Sequence, residues 1–569
     1  MHAPPGDPRA EYTNVANAPR RAITVCELRA LLAEKLPPIK PRNMKRTLLA
    51  LLLATFSALH AADKKPNVVL ILIDDFGYEC VTSNGGESYK TPVMDKLAAT
   101  GVRFEQVHVQ PLCTPTRAAL MTGIINKRNY THFGHLDFSQ KTFGNFFRDA
   151  GYATCITGKW QLKGEYEGPG HFGFDEYALW QLTRRPGRYK NPGLEINGKE
   201  HDYTKNEYGP DIVNDYALDF IQRKKDAPFF LYYPMMLTHS PYDATPDSED
   251  YVDAKSGKGK GKGVAGHFPD MVAYADKLIG KVIAKLEELK LRENTLVIIM
   301  GDNGTGRGTP SKFKGRDVVG GKSTSTMWGT HVPGIGNWPG HFASGKVCSD
   351  MIDVTDFLPT ICEAAGVKVP SELKIDGRSF LPQLRGEKGM PRDGLYAWYN
   401  PSGGPKAKFE FAHDQIFKLY ADGKFYNIAK DDLEKSPLAD AALDDTAKAA
   451  KAKLAALLKK HEGPRDGFFV KQSQNFGGET GEDANGNKTD PGVKNNMKGA
   501  AAPAPAAKGA DPKVARFNGR DLNHDDKLSL DEFIATASDK GGAKDRFEKF
   551  DGNHDGFITR EEFMKGLKE

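Results

Sequence analysis

The chain has 569 residues, enough for one large domain with smaller appendages. Its 79 lysines and arginines nearly balance 74 aspartates and glutamates, and the formal net charge is +5. This balance gives no reason to expect nucleic acid or a membrane surface as a partner. The six cysteines are too few and too widely spaced for a disulfide framework, although Cys348 and Cys362 could pair.

The first recognisable feature of the chain is a targeting signal at residues 44–62. A basic start at residues 44–46 is followed by an apolar run over residues 48–59 and then by small residues. This pattern is typical of a secretory signal peptide, and the run is too short for a membrane span; a buried apolar helix is the alternative. Residues 1–43 are interpreted as a spurious or disordered extension. The mature protein is expected to be secreted or periplasmic, without a membrane span.

Continuous apolar runs predict the buried strands of an α/β domain. Each of four runs is followed by polar residues: 68–73 by Asp74 and Asp75, 152–156 by Lys159, 229–236 by His239, and 295–300 by Asp302 and Asn303. Strands without polar alternation are buried on both faces, and in open α/β sheets ligands bind at the carboxyl ends of the strands. We therefore expect these polar groups to converge on one site.

The stretch that begins at Cys113 predicts a reactive group at the start of a helix. Pro115 suits a first helical turn because its fixed φ fits there and its missing N–H is not needed. Cys113 would then lie where free backbone N–H groups and the positive helix end favour a thiolate or a bound anion. Arg117, four residues later, adds a cation on the same face. The alternative is a buried cysteine in an ordinary helix.

Asp74, Asp75, Asp302 and Asn303 offer only hard oxygen ligands. Ca²⁺ or Mg²⁺ prefers such a set, whereas zinc would favour histidine or cysteine. Either pair alone could be a turn or a helix cap. Two pairs at the ends of two strands predict a metal site, with Ca²⁺ as the expected ion and Mg²⁺ as the alternative.

The tail carries two stretches with the spacing of EF-hand loops. Oxygen ligands recur at alternate positions, and a glutamate closes each loop. Their ligand positions are Asp521, Asn523, Asp525, Lys527 and Glu532 in the first loop, and Asp551, Asn553, Asp555, Phe557, Thr559 and Glu562 in the second. Gly556 provides the sharp turn of the second loop, whereas Asp526 at this position weakens the first. Leu528 and Ile558 occupy the positions that pair two such loops; an acidic, turn-rich tail is the alternative.

The segment from Cys113 to Gly123 resembles the signature of the type I sulfatases, C-[ST]-P-x-R-x-x-x-L-x-G, at every fixed position. In that family the cysteine is oxidised to formylglycine, a catalytic aldehyde, by a formylglycine-generating or an anaerobic sulfatase-maturating enzyme. The resemblance covers about residues 67–440. It implies an alkaline-phosphatase-like fold, with a mixed sheet between helices and a smaller α+β C-terminal subdomain.

The resemblance also implies roles for residues outside the signature. A calcium ion would be held by Asp74, Asp75, Asp302, Asn303 and an oxygen of the modified Cys113. Arg117 would hold the hydrated aldehyde, while Lys159, His239 and Lys322 would bind sulfate and transfer protons. Lys322 precedes His331 by nine residues, a spacing that the family also shows.

The sequence departs from the family pattern at Gln161, where the family has histidine, and at His331, where it has arginine. Both are expected to contact the substrate. A glutamine can hydrogen-bond a sulfate oxygen or a hydroxyl but cannot transfer a proton near neutral pH. His132 and His135, just after the signature helix, are therefore further candidates for proton transfer.

The expected function is hydrolysis of sulfate esters, in particular those of a sulfated carbohydrate or polysaccharide. A hydroxyl of the aldehyde hydrate would attack sulfur, His239 or a lysine would protonate the leaving alcohol, and the second hydroxyl would expel sulfate. A phosphatase or phosphonate hydrolase of the same fold is one alternative, opposed by Cys113, because those relatives usually carry Thr or Ser there. A calcium-dependent glycan-binding protein without catalysis is the other.

The predicted organisation follows from these segments. It comprises a catalytic domain at 63–375, a C-terminal subdomain at 376–472, a flexible linker at 473–512 and an all-α EF-hand pair at 513–569. The linker is predicted from its low hydrophobicity and its many Gly, Asn, Pro and Ala residues.

Overall fold

The computed structural model describes residues 65–251, 266–475 and, in the tail, 527–530, 533, 543–553 and 555–566. The predicted N-terminal extension and signal peptide lie outside these residues, as does most of the predicted linker. None of the helices within the described ranges is both long and apolar enough to cross a membrane.

The described strands form one large sheet and three small ones. In chain order they are β1 (Asn67–Ile73), β2 (Val102–His108), β3 (Ala153–Lys159), β4 (Glu176–Trp180), β5 (Gly193–Ile196), β6 (Lys199–Asp202), β7 (Phe229–Pro234), β8 (Thr295–Gly301), β9 (Pro310–Phe313), β10 (Arg316–Val319), β11 (His331–Asn337), β12 (Lys346–Asp353), β13 (Leu395–Tyr399), β14 (Phe409–His413), β15 (Phe417–Tyr420), β16 (Phe425–Asn427), β17 (Lys527–Ser529) and β18 (Phe557–Thr559).

Helices cover the large sheet and complete the smaller units. The α-helices of the described residues are Pro92–Ala99, Cys113–Thr122, Asn126–Asn129, Phe143–Asp149, Gly168–His171, Gly209–Arg223, Phe268–Glu288, Met327–Thr330, Phe357–Ala364, Leu381–Leu384, Asp445–Lys460, Gly467–Asn475, Ala543–Phe550 and Arg560–Gly566.

The large sheet has ten strands in the order β12-β2-β11-β8-β1-β7-β3-β4-β5-β6. Strand β1 lies near its middle and pairs in parallel with both β7 and β8. Val68, Leu70 and Leu72 point into one hydrophobic core, and the alternating residues of β1 point into a second core on the opposite face. The predicted burial of this strand on both faces is therefore confirmed.

Strands β8, β1, β7 and β3 are neighbours and run parallel, so their carboxyl ends meet at one edge of the sheet. Gly158 allows the close approach of β3 and β7 there, because its φ is +123° and a Cβ would lie 2.0 Å from the carbonyl oxygen of Pro234. The strand order therefore brings the predicted polar groups of four distant segments to a single place.

A second, antiparallel sheet, β13-β14-β15-β16, forms the smaller C-terminal subdomain. The helix Asp445–Lys460 packs on it through Ala447, Ala450 and Leu454. In the tail, β17 pairs with β18, and Leu528 lies opposite Ile558, as the sequence predicts for two EF-hand loops.

The possible disulfide between Cys348 and Cys362 is wrong, because both are buried free thiols.

Candidate active site

The signature residues form a buried helix that begins at Cys113 and ends before Gly123, whose φ is +68°. The Thr116 hydroxyl stabilises its start, since it lies 3.0 Å from both the backbone N and the carbonyl O of Gln110. All ten residues of the helix are buried. The predicted placement of Cys113 in the first helical turn is confirmed.

The Cys113 thiol itself differs from the sequence expectation. Burial, together with the carboxylates of Asp74 and Asp302, raises its pKa to about 11, although Lys159 and Lys322 act in the opposite direction. The expected stabilisation of a thiolate by the helix end is therefore wrong, because the loss of solvation outweighs it.

The four predicted metal ligands lie together at the ends of β1 and β8, and all are buried. Asp302 accepts a hydrogen bond from the backbone N–H of Asp75 (3.0 Å), and the Asn303 amide donates to the Asp75 carboxylate (2.8 Å). Ligand atoms of Asp74, Cys113 and Asp302 lie within 4.8 Å of one another. The structure thus brings the predicted ligand set together.

Two oxygens of this set have no hydrogen-bond partner among the described residues, Oδ1 of Asp74 and Oδ1 of Asn303. A buried oxygen without a partner is costly unless a cation satisfies it. Burial, together with the charge of Asp74, also raises the pKa of Asp302 to about 7. The donor set fits a hard divalent cation such as Ca²⁺ or Mg²⁺.

Two buried cations contact these carboxylates. The Lys159 ammonium lies 2.8 Å from Oδ2 of Asp74, and Nη2 of Arg117 lies 2.9 Å from Oδ2 of Asp302. Burial alone would raise the pKa of Asp74, but the nearby cations, Lys159 foremost, hold it below its usual value. Both predicted cations therefore lie beside Cys113, on the face where a bound anion would be stabilised.

His239 and Lys322 lie next to each other beside Asp75. Nζ of Lys322 lies 2.9 Å from the Asp75 carboxylate and 3.1 Å from Nε2 of His239. Nδ1 of His239 lies 2.6 Å from the carbonyl oxygen of Ser240, so Nδ1 carries the proton in the neutral ring. Nε2 is then left to accept or transfer a proton within the site.

Gln161 contacts Cys113 directly. Sγ of Cys113 donates a hydrogen bond to Oε1 of Gln161 at 2.8 Å. The φ of Gln161 is +57°, a left-handed conformation, and its backbone N–H donates to the carbonyl oxygen of Gln181. The structure therefore places Gln161 against the residue predicted to carry the aldehyde.

His331 has a different set of neighbours. Its ring stacks on Tyr78 at 4.1 Å and on His108 at 5.1 Å, and its Nε2 lies 2.8 Å from the carbonyl oxygen of Glu105. It lines a cavity of about 270 Å³ together with aromatic and charged residues, among them Trp328. Its predicted substrate contact would have to be made from this cavity.

His132 and His135 stack on each other at 5.0 Å in the loop after the signature helix. The loop is tied to the helix start, because the Gly134 N–H donates to the Thr114 hydroxyl. Burial lowers the pKa of each histidine to about 4. Both rings are therefore neutral near pH 7 and are poor candidates for proton donors.

Arg188 is a site residue that the sequence does not reveal. It lies in the loop between β4 and β5, only 7% exposed, with its guanidinium 3.9 Å from the centre of the Trp180 ring. Its Nη1 lies 4.0 Å from Oδ2 of Asp74. An arginine that follows a Pro-Gly pair would ordinarily be placed on an exposed turn, so no local signal indicates this burial.

The second EF-hand loop is folded around Asp551. Its carboxylate accepts hydrogen bonds from the backbone N–H groups of Asp555 (3.2 Å) and Gly556 (3.0 Å), and Gly556 has a φ of +85°. Glu562, the predicted closing ligand, accepts from the Thr559 hydroxyl at 2.7 Å. The predicted first-loop ligands Asp521, Asn523, Asp525 and Glu532 lie outside the described residues.

Comparison with protein families matches the family model described as Sulfatase to residues 66–367. The chain belongs to the sulfatase family. A second model, N-sulphoglucosamine sulphohydrolase, C-terminal, matches residues 327–461, and an EF hand model matches residues 543–568, which contain the second predicted loop. The protein is therefore a sulfuric ester hydrolase, and the resemblance stated from its motifs is confirmed.

Relatives and solved structures agree with this assignment. N-acetylgalactosamine-6-sulfatase of Mus musculus is 31% identical over 393 residues, 61% of this chain and 72% of the relative. Human arylsulfatase A is 30% identical over 391 residues, 61% of this chain and 73% of the relative. The crystal structure of Ps i-CgsB with k-i-k-neocarrahexaose superposes with a TM-score of 0.58 at 25% identity, covering 72% of this chain and 97% of that one.

Proposed function

We propose that this sulfatase removes sulfate from a sulfated carbohydrate or polysaccharide, with a formylglycine at position 113 and a bound Ca²⁺. The buried cluster in which Cys113 meets Asp74, Asp302 and Lys159 is the observation that carries the proposal. Similarity to an N-acetylgalactosamine-6-sulfatase and to a neocarrahexaose complex supports a sugar substrate. The signal sequence at residues 44–62 supports action outside the cytoplasm, in a secreted or periplasmic form.

The ion would be held by Asp74, Asp75, Asp302, Asn303 and an oxygen of the modified residue 113. When bound, Ca²⁺ supplies positive charge that polarises a sulfuryl oxygen, and Mg²⁺ is the alternative ion. The orphaned oxygens of Asp74 and Asn303 are the structural support for this assignment.

Formylglycine, made from Cys113 by a formylglycine-generating or anaerobic maturating enzyme, supplies as its hydrate the hydroxyl that attacks sulfur. Sγ of Cys113 would be replaced by the carbon-bound oxygens of the hydrate. Gln161, whose Oε1 accepts from Sγ at 2.8 Å, would accept from that hydroxyl and orient it. Arg117, which is fixed by its contact with Asp302, would hold the hydrated aldehyde.

The remaining side chains bind the sulfuryl group and move protons. Lys159 and Lys322 approach from two sides and would balance the charge that grows on the sulfuryl oxygens in the transition state. His239 presents Nε2 to the site because Nδ1 is bound to the Ser240 carbonyl. Lys322, whose ammonium lies 3.1 Å from Nε2, would protonate the leaving alcohol directly or through His239.

Mass spectrometry of the peptide that contains Cys113, paired with a sulfate-release assay, tests the proposal. We expect an aldehyde at residue 113 in the active protein and no measurable turnover in Cys113→Ala. Cys348→Ala is the control and should retain activity, because Cys348 is a buried thiol of the edge strand β12.

Three outcomes would contradict the proposal. An unmodified thiol in a protein that still releases sulfate would remove formylglycine from the mechanism. A preference for phosphate or phosphonate esters would indicate the related hydrolases instead. Glycan binding without hydrolysis, by protein produced together with a maturating enzyme in which residue 113 still remains a thiol, would indicate a binding protein.

A further inference from the structure

Arg188 is buried at the active site without a hydrogen-bonded acceptor for one of its guanidinium nitrogens. Its Nη1 has no hydrogen-bond partner among the described residues, and Oδ2 of Asp74 lies 4.0 Å away, beyond hydrogen-bond distance. A buried guanidinium usually makes paired, charge-assisted hydrogen bonds, since its five N–H groups are costly to leave unsatisfied. This nitrogen therefore has the capacity to bind an acceptor that comes from outside the protein.

The carboxylates of the site are already engaged by other cations. Oδ2 of Asp74 accepts from Lys159 at 2.8 Å, and Asp302 accepts from Arg117 at 2.9 Å. Nη1 of Arg188 approaches Oδ2 of Asp74, the same oxygen that accepts from Lys159. Its charge thus adds to theirs and makes the pocket more favourable for an anion.

The guanidinium is held in place by its surroundings. It stacks on the Trp180 ring at 3.9 Å, a cation–π contact that fixes the plane of the fork. The next residue, Tyr189, is fully buried, and its hydroxyl contacts the carbonyl oxygens of Met236 (3.0 Å) and His239. The loop that carries Arg188 is thereby anchored to the segment that carries the proton-transfer histidine.

We propose that Arg188 is a further substrate-binding residue, which donates from Nη1 to an oxygen of the sulfuryl group on the Lys159 side. The inference rests on the proposed function, because it assigns the anion to the sulfate ester and to the inorganic sulfate released from it. Nη1 carries its two N–H groups in the fixed plane of the guanidinium and can direct them at an oxygen of a tetrahedral oxyanion, whereas the ammonium of a lysine acts as a point charge.

Inhibition by inorganic sulfate tests this assignment, with hydrolysis of 4-nitrophenyl sulfate as the assay. In Arg188→Met, which keeps an unbranched stem against Trp180 but lacks charge, we expect Ki for sulfate and KM to rise about 10- to 100-fold. Arg188→Lys should recover part of this loss. The control Arg185→Ala, a partly exposed arginine of the same loop at 6.0 Å from the Trp180 ring, should keep wild-type values.

An unchanged Ki for sulfate in Arg188→Met would overturn the assignment. An unchanged Ki together with a lower Tm would make Arg188 a packing residue. If Arg188→Met does not fold, Arg188→Lys serves as the test, because it keeps the positive charge and loses the planar guanidinium. An unchanged Ki for sulfate in Arg188→Lys would then overturn the assignment. Failure of the proposed function is distinguishable, since the wild-type protein would then not hydrolyse the ester at all. Calorimetric binding of inorganic sulfate would still compare Arg188 variants in that case.

Discussion

Gln161 is the residue in which this chain departs most directly from the family pattern at the reacting group. A histidine at this position could exchange a proton with the aldehyde hydrate, whereas a neutral amide can only accept or donate hydrogen bonds. Its contact is with Cys113, and its strained left-handed backbone is tied to the end of β4 through Gln181. The structure therefore favours a role in orienting residue 113 over a contact with the sugar.

We expect Gln161→Ala to lower kcat for a small aryl sulfate about 10- to 100-fold with a smaller change in KM, because the lost hydrogen bond is to the nucleophile. Gln161→His should retain measurable turnover, since an imidazole can accept the same bond. Steady-state kinetics measures both, and Gln415→Ala on the exposed C-terminal subdomain is the control. A raised KM with unchanged kcat would show that Gln161 contacts substrate only, as the sequence predicts.

At the scale of elements, β1 connects the stability of the domain with the position of the metal ligands. Its side chains fill both hydrophobic cores, and its carboxyl end carries Asp74 and Asp75. Asn67 at its start accepts from the Phe229 N–H and contacts Thr295, which aligns β1 with β7 and β8. The register of three strands is thus set at the end opposite the site.

Leu70→Ala in the middle of β1 should lower the free energy of unfolding by about 2–5 kcal/mol, because Leu70 is fully buried and its removal leaves a cavity. Val347→Ala on the edge strand β12 is the control, since Val347 is 47% exposed, and its effect should be within about 0.5 kcal/mol. Urea unfolding followed by tryptophan fluorescence measures both. A loss below about 1 kcal/mol for Leu70→Ala would contradict the central place of β1 in the core.

At the scale of the whole molecule, buried histidines join the catalytic domain to the C-terminal subdomain. His413 of β14 contacts His108 of β2 at 4.6 Å between ring centres, and His108 stacks on His331 of β11. Burial, together with the nearby charge of Lys418, lowers the pKa of His413 to about 3. Burial and the neighbouring histidines hold the pKa of His108 well below its usual value.

Acid should therefore weaken the folded protein. Both histidines take up protons near pH 6.5 in the unfolded chain. In the fold His413 remains neutral down to its pKa of about 3, and His108 also has a pKa well below its usual value. The unfolded state thus binds more protons in this window, and each such histidine lowers stability by up to about 1.4 kcal/mol per pH unit on acidification. Thermal unfolding from pH 7 to 4.5 measures this slope.

His413→Phe should flatten the pH dependence of Tm, because an aromatic ring is kept and the titrating group is lost. His201→Gln, on the exposed strand β6, is the matched control and should keep the wild-type slope. An identical slope in wild type and His413→Phe would show that the histidine junction does not govern acid stability.

The tail should be dispensable for the reaction, because the sequence predicts a flexible linker, and such a linker would not hold the EF-hand pair against the site. Truncation after Asp511 is expected to leave turnover of a small aryl or monosaccharide sulfate nearly unchanged. Chelation of divalent ions should stop hydrolysis in the full and the truncated chains alike, since the ion predicted to act in catalysis is held at β1 and β8.

Calcium titration of the two chains separates the two kinds of site. The EF-hand loops should bind Ca²⁺ with a Kd on the order of 10⁻⁴–10⁻³ M up to sensor values, the second loop more tightly because it keeps Gly556. Only the full chain should show this class of binding. A large loss of turnover on truncation, with the catalytic domain still folded, would show that the tail completes the active site.

The sequence by itself determined what depends on local patterns. The apolar run of β1 and the Pro115 helix start are set by hydrophobicity and backbone preferences over a few residues, and both were predicted correctly. The EF-hand pairing of Leu528 with Ile558 follows in the same way from spacing. The family assignment also came from a short contiguous signature, residues 113–123.

The tertiary structure decided what depends on burial and on contacts between distant segments. The ion pair of Asp75 with Lys322 spans 247 positions and exists only because of the strand order. Burial keeps the Cys113 thiol protonated against the helix end, and it turns Arg188 from a turn residue into part of the site. Solvation and pairing of a charged group are properties of its final surroundings, which no local window of sequence contains.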